Sequence, residues 1–224
     1  MQLKLAIANK NYSSWSMRPW VLLTQAGIAF EEIGLRLGED ESGSLIVTGI
    51  GAYSAARTVP VLLIDSEPVW DSLAICETLA ELFPDKHLWP ENARARQVAR
   101  SICAEMHAGF RDLRGAMPMN IRSSLPGLGM SPAVQKDVDR IVQIWRSCRE
   151  KFGEGGEMLF GQFCIADAYF APVTMRFNTH AVKIPADAER YCAAVRVLPG
   201  VQKWIEAAGK DGEFVRADEP YASR

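Results

Sequence analysis

The feature that most constrains how this chain can fold is a change in hydrophobic periodicity near residue 92. Before it, short apolar stretches at 3–7 and 59–64 are alternating or β-branched, which is typical of strands. After it, apolar residues recur every three or four positions along 98–117 and 134–152, as they do in helices that bury one face. The sequence therefore predicts a small α/β domain followed by an all-helical domain.

Within the first domain, the order of the predicted elements is βαβ followed by ββα. The first strand leads through a polar loop to a helix predicted from Ser16 to Ala26, with Pro19 in its first turn and Gly27 as its C-cap. Residues 30–37 predict a second strand. The stretch 39–56 is rich in glycine and serine, and it predicts a loop with one short helix at most.

A predicted hairpin and one helix complete this domain. The hairpin joins the strand at 59–64 to one that begins at Pro68. Asp71 and Ser72 stand where a helix N-cap belongs, and the helix after them carries its apolar residues on one face. The predicted boundaries are 1–83 for the first domain, 84–91 for a proline-containing linker and 92–224 for the helical domain.

Four helical segments are predicted in the second domain. They lie at 98–117, 134–152, 165–178 and 199–208. Gly/Pro-rich segments at 118–132 and 153–156 separate the first three of them. No strand-like alternation persists in this half of the sequence, so we expect it to be all-helical.

The charge balance and several missing motifs argue against whole classes of function. The chain has 25 basic and 27 acidic residues, a net charge of −2, whereas nucleic-acid binders usually carry a basic excess or stripe. No apolar run approaches the roughly 20 residues of a membrane helix, and the N-terminus lacks the apolar core of a signal peptide. Three widely spaced histidines offer no metal-ligand motif. We therefore expect no nucleic acid, membrane or metal as a partner.

The use of cysteine indicates a compartment. The cysteines are odd in number and widely spaced, with no CxxC pair: Cys76, Cys103, Cys148, Cys164 and Cys192. Such a set argues against a disulfide framework or a zinc knuckle. It is typical of the reducing cytoplasm, where we expect the protein to be.

The segment Tyr12–Arg18 places hydroxyl groups beside the start of the first helix. Free backbone N–H groups and the helix dipole favour anions there. A thiol held nearby would have its pKa lowered by that field and by a hydroxyl hydrogen bond. The alternative is structural, since serine is a favoured N-cap residue and capping is the commoner role.

Two further sites have both a structural and a functional interpretation. Thr58-Val59-Pro60 opens a strand, where the proline either marks a sheet edge or, in the cis form, turns the peptide groups of Val59 towards a ligand. Asp71 and Ser72 either cap a helix or bind the ammonium and the carboxylate of an amino-acid terminus. The residues alone leave these alternatives open.

The order and spacing of these features resemble the cytosolic glutathione transferase family. The matching stretches are Ser13–Arg18, Thr58–Leu62 and Trp70–Ile75, and Phe163–Tyr169 is similar to the family's capping-box segment. The resemblance spans most of the chain, and the serine-type subclasses, tau and zeta among them, fit best. It implies a thioredoxin-like N-terminal domain that binds glutathione and a helical domain that supplies most of an apolar second pocket.

The resemblance also implies roles for individual residues. Ser13 lies five residues before Arg18 and takes the place of the catalytic serine, whose hydroxyl holds the glutathione thiolate. Ser14 is the second candidate for this role. The second, hydrophobic pocket would include Trp15, Met106 and Phe110. The glutathione site would use Thr58, Val59, a cis Pro60, Asp71 and Ser72, and relatives often carry a longer polar residue at the position of Thr58.

Some residues depart from the family pattern. Trp15 stands where the zeta pattern has a cysteine, which disfavours a maleylacetoacetate isomerase, and the lack of cysteine at 13 or 14 disfavours mixed-disulfide chemistry. Cys164 stands at the capping box where serine or threonine is usual, so Asp167 must supply more of the cap.

The resemblance implies a dimeric, cytoplasmic glutathione transferase of detoxification or stress response. Glutathione would be its co-substrate and a hydrophobic electrophile or an organic peroxide its second substrate, with no metal. Because fold does not fix function, a non-catalytic ligand-binding or protein-interaction module is the alternative. A third possibility is a related enzyme that uses a serine-held thiol for reductive dechlorination or isomerisation.

Overall fold

The computed structural model describes residues 1–40 and 44–222, and it confirms the predicted fold class. A four-stranded sheet has the order β2-β1-β5-β6, with β1 parallel to β2 and antiparallel to β5. Its strands are β1 (Leu3–Ile7), β2 (Glu31–Gly34), β5 (Val61–Ile64) and β6 (Glu67–Val69). Helix α1 (Ser14–Gln25) connects β1 to β2, and α2 (Ser72–Leu82) follows β6. This is the predicted βαβ and ββα order.

Both faces of this sheet are covered. Successive strand residues point to opposite faces, so Leu5 and Leu62 join the main core with α1 and α2. Ala6 and Val61 point the other way and pack against Ile50 in a smaller core. The sheet is therefore packed on both faces, and the loop that carries the candidate serines follows its strand β1.

The segment between β2 and β5 differs from its prediction. The predicted strand at 30–37 is two elements, because β2 ends at Gly34 and Leu37 begins β3 (Leu37–Glu39). β3 pairs antiparallel with β4 (Leu45–Val47), inside the stretch predicted to be a loop. The predicted short helix is a 3-10 turn at Ile50–Ala52, and residues 41–43 of this stretch lie outside the described residues.

Helix α1 begins earlier than predicted. It starts at Ser14, so Pro19 is its sixth residue and lies in the second turn, not the first. A proline there cannot donate to the carbonyl of Trp15 as a helical N–H would. At the other end, Gly27 follows the C-cap Ala26 with a φ of +66°, the left-handed conformation that glycine adopts at helix ends.

The helical half is built around α6, which is buried along almost its whole length. Its helices are α3 (Ala93–Ala108), α4 (Arg111–Ala116), α5 (Pro132–Phe152), α6 (Ile165–Thr179), α7 (Ala186–Arg196) and α8 (Pro199–Lys210). Helix α6 packs against α3 and α7, and α1 of the first half packs against both α6 and α8. The two halves are thus joined through α1 and α6.

Two features of this half were not predicted. Helix α7 has no counterpart in the prediction, and the stripe at 98–117 is divided between α3 and α4. The division occurs at Gly109, where a Cβ atom would lie 2.8 Å from the carbonyl oxygen of Glu105, and at Phe110, whose φ is +57°. Between residues 92 and 222 the structure contains no strand, only isolated bridges within 158–162.

The stretch 84–91, predicted to be a linker, contains a 3-10 turn at Pro84–Lys86 and the buried side chains of Leu88 and Trp89. The domain boundaries stay a prediction, and the last two residues of the predicted helical domain, 223–224, lie outside the described chain. All five cysteines are buried free thiols. None of the helices in the described part is long and apolar enough to cross a membrane.

Candidate functional site

A cleft of about 710 Å³ lies between the sheet domain and the helical half. The loop before α1 contributes Tyr12, Ser13, Ser14 and Trp15, and the strand region contributes Leu37, Leu45 and Val59. The helical half contributes residues of α3, α4 and α6, and the C-terminal segment contributes Asp218. Four of the residues predicted from sequence therefore line one cavity: Ser13, Ser14, Trp15 and Val59.

Ser13 occupies the N-cap position of α1 without using its side chain as a cap. Its carbonyl accepts from the N–H of Met17 at 3.1 Å, so the helix begins there. Its hydroxyl instead donates to Oγ of Ser16 at 2.8 Å, and that oxygen also accepts from the N–H of Ala8 at 3.3 Å. The Ser13 hydroxyl is therefore not used as a helix cap, which was the structural alternative.

The neighbouring Ser14 is bound from the other half of the molecule. Its Oγ accepts from Nη2 of Arg176 on α6 at 3.1 Å. Arg176 is 6% exposed, and its Nη1 donates to the carbonyls of Met117 and Arg114. Burial, together with the charges of Arg114 and Arg18, lowers the pKa of Arg176 to about 9.

The cleft is rich in positive charge. Arg111, Arg114 and Arg176 line it, whereas Asp218 is the one carboxylate among its described lining residues. Burial and the nearby charge of Arg111 lower the pKa of Arg114. Burial raises the pKa of Asp218 to about 6, even though the charge of Arg176 acts in the opposite direction. An anion bound here would reduce the repulsion between the guanidinium groups.

Trp15 lies between two arginines. The guanidinium carbons of Arg18 and Arg114 are 4.2 Å and 4.4 Å from its ring centroid, within the range of cation–π contacts. Arg18 is 2% exposed, and its Nε and Nη1 find no hydrogen-bond partner within residues 1–40 and 44–222. Burial lowers its pKa to about 10. Trp15 therefore presents an indole with cations on its ring rather than a purely apolar surface.

The residues of the second motif flank the cleft. The Val59–Pro60 peptide bond is cis, the form that the family resemblance implies. Val59 lines the cleft and Pro60 is buried, while Thr58 is exposed.

Asp71 and Ser72 lie at the start of α2 and are both contacted from the helical half. Asp71 caps the helix, its Oδ1 accepting from the N–H of Leu73 at 3.1 Å. Its Oδ2 lies 3.1 Å from Nε2 of His107. Ser72 is fully buried, and its hydroxyl is 2.9 Å from that of Tyr169. Neither residue belongs to the described lining of the cleft, so these contacts define a second part of the site at the start of α2.

The structure does not place Met106 and Phe110 in the cleft. They are 1% and 7% exposed and belong to the main core. Their neighbours His107 and Arg111 line the cleft instead, because the chain turns sharply at 109–110 between α3 and α4. The predicted placement of Met106 and Phe110 in the second pocket is therefore corrected.

Sequence reasoning gave no role to Arg176, Tyr169 or Asp218. A signal existed for Arg176, since a lone arginine between Met175 and Phe177 interrupts an apolar helix, and a charge in such a place needs partners. Tyr169 and Asp218 carried no comparable signal.

Comparisons with known proteins agree with the fold described above. Residues 12–82 match the family described as glutathione S-transferase, N-terminal domain. The maleylacetoacetate isomerase of Rattus norvegicus is 26% identical over 158 residues, which covers 69% of this chain and 71% of that protein. The enzyme of the same name from Mus musculus is 26% identical over 160 residues, covering 68% and 71%.

Solved structures share the fold. A glutathione transferase homologue from Burkholderia gl BGR1, solved with bound glutathione, superposes with a TM-score of 0.70 at 22% identity, covering 94% of this chain and all of that one. A tau class glutathione S-transferase from mango, Mangifera indica, has a TM-score of 0.66 at 18% identity, covering 93% and 96%. At these identities the likeness concerns the fold alone.

Proposed function

Because residues 12–82 match the N-terminal domain of the glutathione S-transferase family, we propose that the protein is a glutathione transferase in which a serine hydroxyl holds the glutathione thiolate. The observation that carries the proposal is the hydroxyl of Ser13, which lines the cleft at the N-terminus of α1 and makes no cap bond. On binding, the thiolate replaces Ser16 as the acceptor of the Ser13 hydrogen bond.

Several charges and dipoles of the cleft favour the ionised thiol. The N-terminus of α1 and the arginines Arg114 and Arg176 create a positive potential beside Ser13 and Ser14. Such a potential lowers the pKa of a thiol and raises the fraction of the nucleophile present near neutral pH. Catalysis then comes from thiolate stabilisation and from proximity to the electrophile, with no proton-shuttling side chain.

The remainder of glutathione would extend from Ser13 towards α2. The backbone of Val59, before the cis Pro60, would pair with the cysteinyl part. Ser72 and the N-terminus of α2 would hold the γ-glutamyl carboxylate, and Asp71 would face the ammonium group. We further propose a cytoplasmic homodimer that acts in detoxification or stress response on an electrophile or a peroxide, with no metal.

Substitution of the serines tests the proposal. In Ser13→Ala the ultraviolet absorbance of the bound thiolate should appear only at higher pH than in the wild type. Turnover with a general electrophile should fall about 100-fold, the effect of removing one hydrogen-bond donor to a reactive anion. Ser14→Ala should have a smaller effect, because the hydroxyl oxygen of Ser14 already accepts a hydrogen bond from Arg176. Ser16→Ala is the matched control, since that serine is fully buried and its Oγ accepts from Ser13 and from the N–H of Ala8.

The outcomes separate the alternatives. Full turnover in Ser13→Ala with loss in Ser14→Ala would make Ser14 the residue that holds the thiolate. A protein that binds glutathione without ionising its thiol, in wild type and variants alike, would be a non-catalytic ligand-binding module. A protein that does not bind glutathione would end the proposal.

A second candidate function is favoured by the three arginines of the cleft. They suit a substrate that carries carboxylates, and two relatives of this chain are named maleylacetoacetate isomerase. An isomerase would add the thiolate to an unsaturated carboxylate and release it again, so glutathione would be regenerated. Conjugation consumes one glutathione per product, and the stoichiometry of glutathione consumption therefore distinguishes the two reactions.

A further inference from the structure

Four side chains form a series of three polar contacts between α2 and the helical half. Nε2 of His107 lies 3.1 Å from Oδ2 of Asp71, and Nδ1 lies 3.4 Å from the hydroxyl of Tyr169, the longest link. The Tyr169 hydroxyl in turn lies 2.9 Å from that of Ser72. The rings of His107 and Tyr169 stack with centroids 6.5 Å apart. The series therefore begins and ends at two adjacent residues at the start of α2, Asp71 and Ser72.

The direction of each bond follows from the available hydrogens when His107 is neutral. The Asp71 carboxylate can only accept, so Nε2 of His107 carries the hydrogen and Nδ1 is an acceptor. Tyr169 then donates to Nδ1, and its oxygen accepts from Ser72. The single hydrogen of the Ser72 hydroxyl is therefore directed at Tyr169 and cannot be donated to a ligand.

A carboxylate bound at Ser72 requires the opposite arrangement. If Ser72 donates to the ligand, Tyr169 must donate to Ser72, since two hydroxyl oxygens 2.9 Å apart with no hydrogen between them repel. Nδ1 of His107 must then donate to Tyr169, while Nε2 still donates to Asp71. Both ring nitrogens are donors only in the imidazolium form.

We propose that binding of the γ-glutamyl carboxylate of glutathione at Ser72 is coupled to the uptake of one proton by His107, with Tyr169 as the positioning residue that links the two. The inference rests on the proposed function, because it takes glutathione as the ligand and Ser72 as the group that binds its carboxylate. The proton comes from solvent and is added at Nδ1, and no covalent bond other than N–H forms or breaks.

Charges from every neighbouring element act on this proton. Asp71, at the start of α2, favours the imidazolium. Arg111 and Arg114 on α4, Arg176 on α6 and Arg18 on α1, which lies 4.5 Å from the Tyr169 ring, oppose it. The His107 side chain is 28% exposed, so solvent can supply the proton. The ligand carboxylate adds a negative charge that favours the imidazolium form.

Calorimetry with S-methylglutathione tests the coupling, because this thiol-blocked analogue removes the proton that glutathione's own thiol would release. Binding enthalpy is measured at neutral pH in buffers of different ionisation enthalpy, and the slope gives the protons taken up per site. We expect an uptake approaching one proton in the wild type. We also expect an affinity that weakens by up to about tenfold per pH unit as the pH rises.

Two variants assign the proton to the network. Tyr169→Phe frees the Ser72 hydroxyl from Tyr169, and His107→Gln keeps a donor for Asp71 but cannot titrate, so each should bind the analogue without proton uptake. His87→Gln is the matched control, because the His87 side chain is 63% exposed and forms an ion pair with Glu91, away from the network. It should keep the wild-type slope. A purely structural role for His107 or Tyr169 would weaken binding without changing the slope.

The possible failures are distinguishable. If wild-type protein does not bind S-methylglutathione, the proposed function fails. If it binds with no proton uptake, the coupling is wrong and the proposed function stands. Uptake that persists in both His107→Gln and Tyr169→Phe would place the proton elsewhere and overturn the assignment.

Discussion

At the scale of single residues, one carboxylate combines structural and functional contacts. Oδ1 of Asp71 caps α2, Oδ2 binds His107 of the helical half, and half of the side chain is exposed and available to a ligand. The alternatives of capping and ligand binding that the sequence left open are therefore compatible in one side chain. Capping needs only an acceptor oxygen, whereas the proposed contact with an ammonium group needs negative charge.

Asp71→Asn separates these two roles. The amide oxygen can still accept from the N–H of Leu73, so α2 should keep its cap and the Tm should change little. Loss of the charge should raise the KM for glutathione about tenfold, the equivalent of about 1.4 kcal/mol, and should change kcat much less, because the contact exists in both ground and transition states. Steady-state kinetics check this.

Asp71→Ala is the comparison, since it removes the cap as well and should lower the Tm in addition to raising the KM. A fall in kcat at unchanged KM in Asp71→Asn would contradict the proposed role.

The site could be predicted from sequence only where its residues are close in sequence. Ser13, Ser14 and Trp15 form one run, and Val59 belongs to a short motif, so local pattern was enough to name them. The partner of Ser14 is 162 residues away, at Arg176, and that of Ser72 is 97 residues away, at Tyr169. No periodicity or cap rule connects positions so far apart, because their meeting depends on how α6 packs against α1.

At the scale of elements, prediction succeeded where one apolar pattern covers a whole element. The β5–β6 hairpin, α5 and α6 lie close to their predicted limits. The β3–β4 pair was missed because each strand has only three residues and both lie in or beside a segment rich in glycine and serine. Helix α7 was missed because its buried face includes Ala188 and Cys192, whose small side chains give only a weak apolar pattern among the surrounding polar residues.

The start of α6 shows how one element is held in place. The Asp167 carboxylate accepts from the N–H groups of Cys164 and Leu159 at 2.9 Å and 3.0 Å and from the hydroxyl of Tyr191 at 3.1 Å. Burial nevertheless raises its pKa to about 6. The Cys164 thiol faces the N–H at the third helical position as the other arm of the capping box, and a thiol is a weak acceptor.

Cys164→Ser should stabilise the protein. A hydroxyl in this buried cap is a better acceptor than a thiol, and such a cap is worth about 1 kcal/mol. In a chain of this length we expect the Tm to rise by about 2–4 °C. Differential scanning calorimetry checks this, with Cys148→Ser as the control, because Cys148 is buried in the middle of α5 and caps nothing. An unchanged or lower Tm in Cys164→Ser would contradict the role of position 164 as a cap.

At the scale of the whole molecule, the cleft depends on the chain's C-terminal segment as well as on the two halves. The Tyr12 hydroxyl donates to Glu219 at 2.6 Å, the N–H of Ala217 donates to Glu39 at 2.7 Å, and the Tyr221 hydroxyl donates to the carbonyl of Ala116 at 2.7 Å. These bonds tie residues 217–221 to the sheet domain and to α4. They hold Asp218 at the cleft, opposite the arginines of the helical half.

Asp218 should therefore set how strongly the cleft binds anions. Its pKa of about 6 means that it is charged at neutral pH and opposes an anion near Arg176, and an anion in turn favours its protonated form. The affinity of the wild type for fumarate, a small dicarboxylate that stays ionised in this range, should rise as the pH falls through about 6. Asp218→Asn should bind fumarate more tightly at neutral pH and lose this dependence. Inhibition measured across the pH range checks both effects, with Asp211→Asn, outside the described cleft lining, as the control. Equal inhibition of wild type and Asp218→Asn at every pH would show that Asp218 does not control the charge of the cleft.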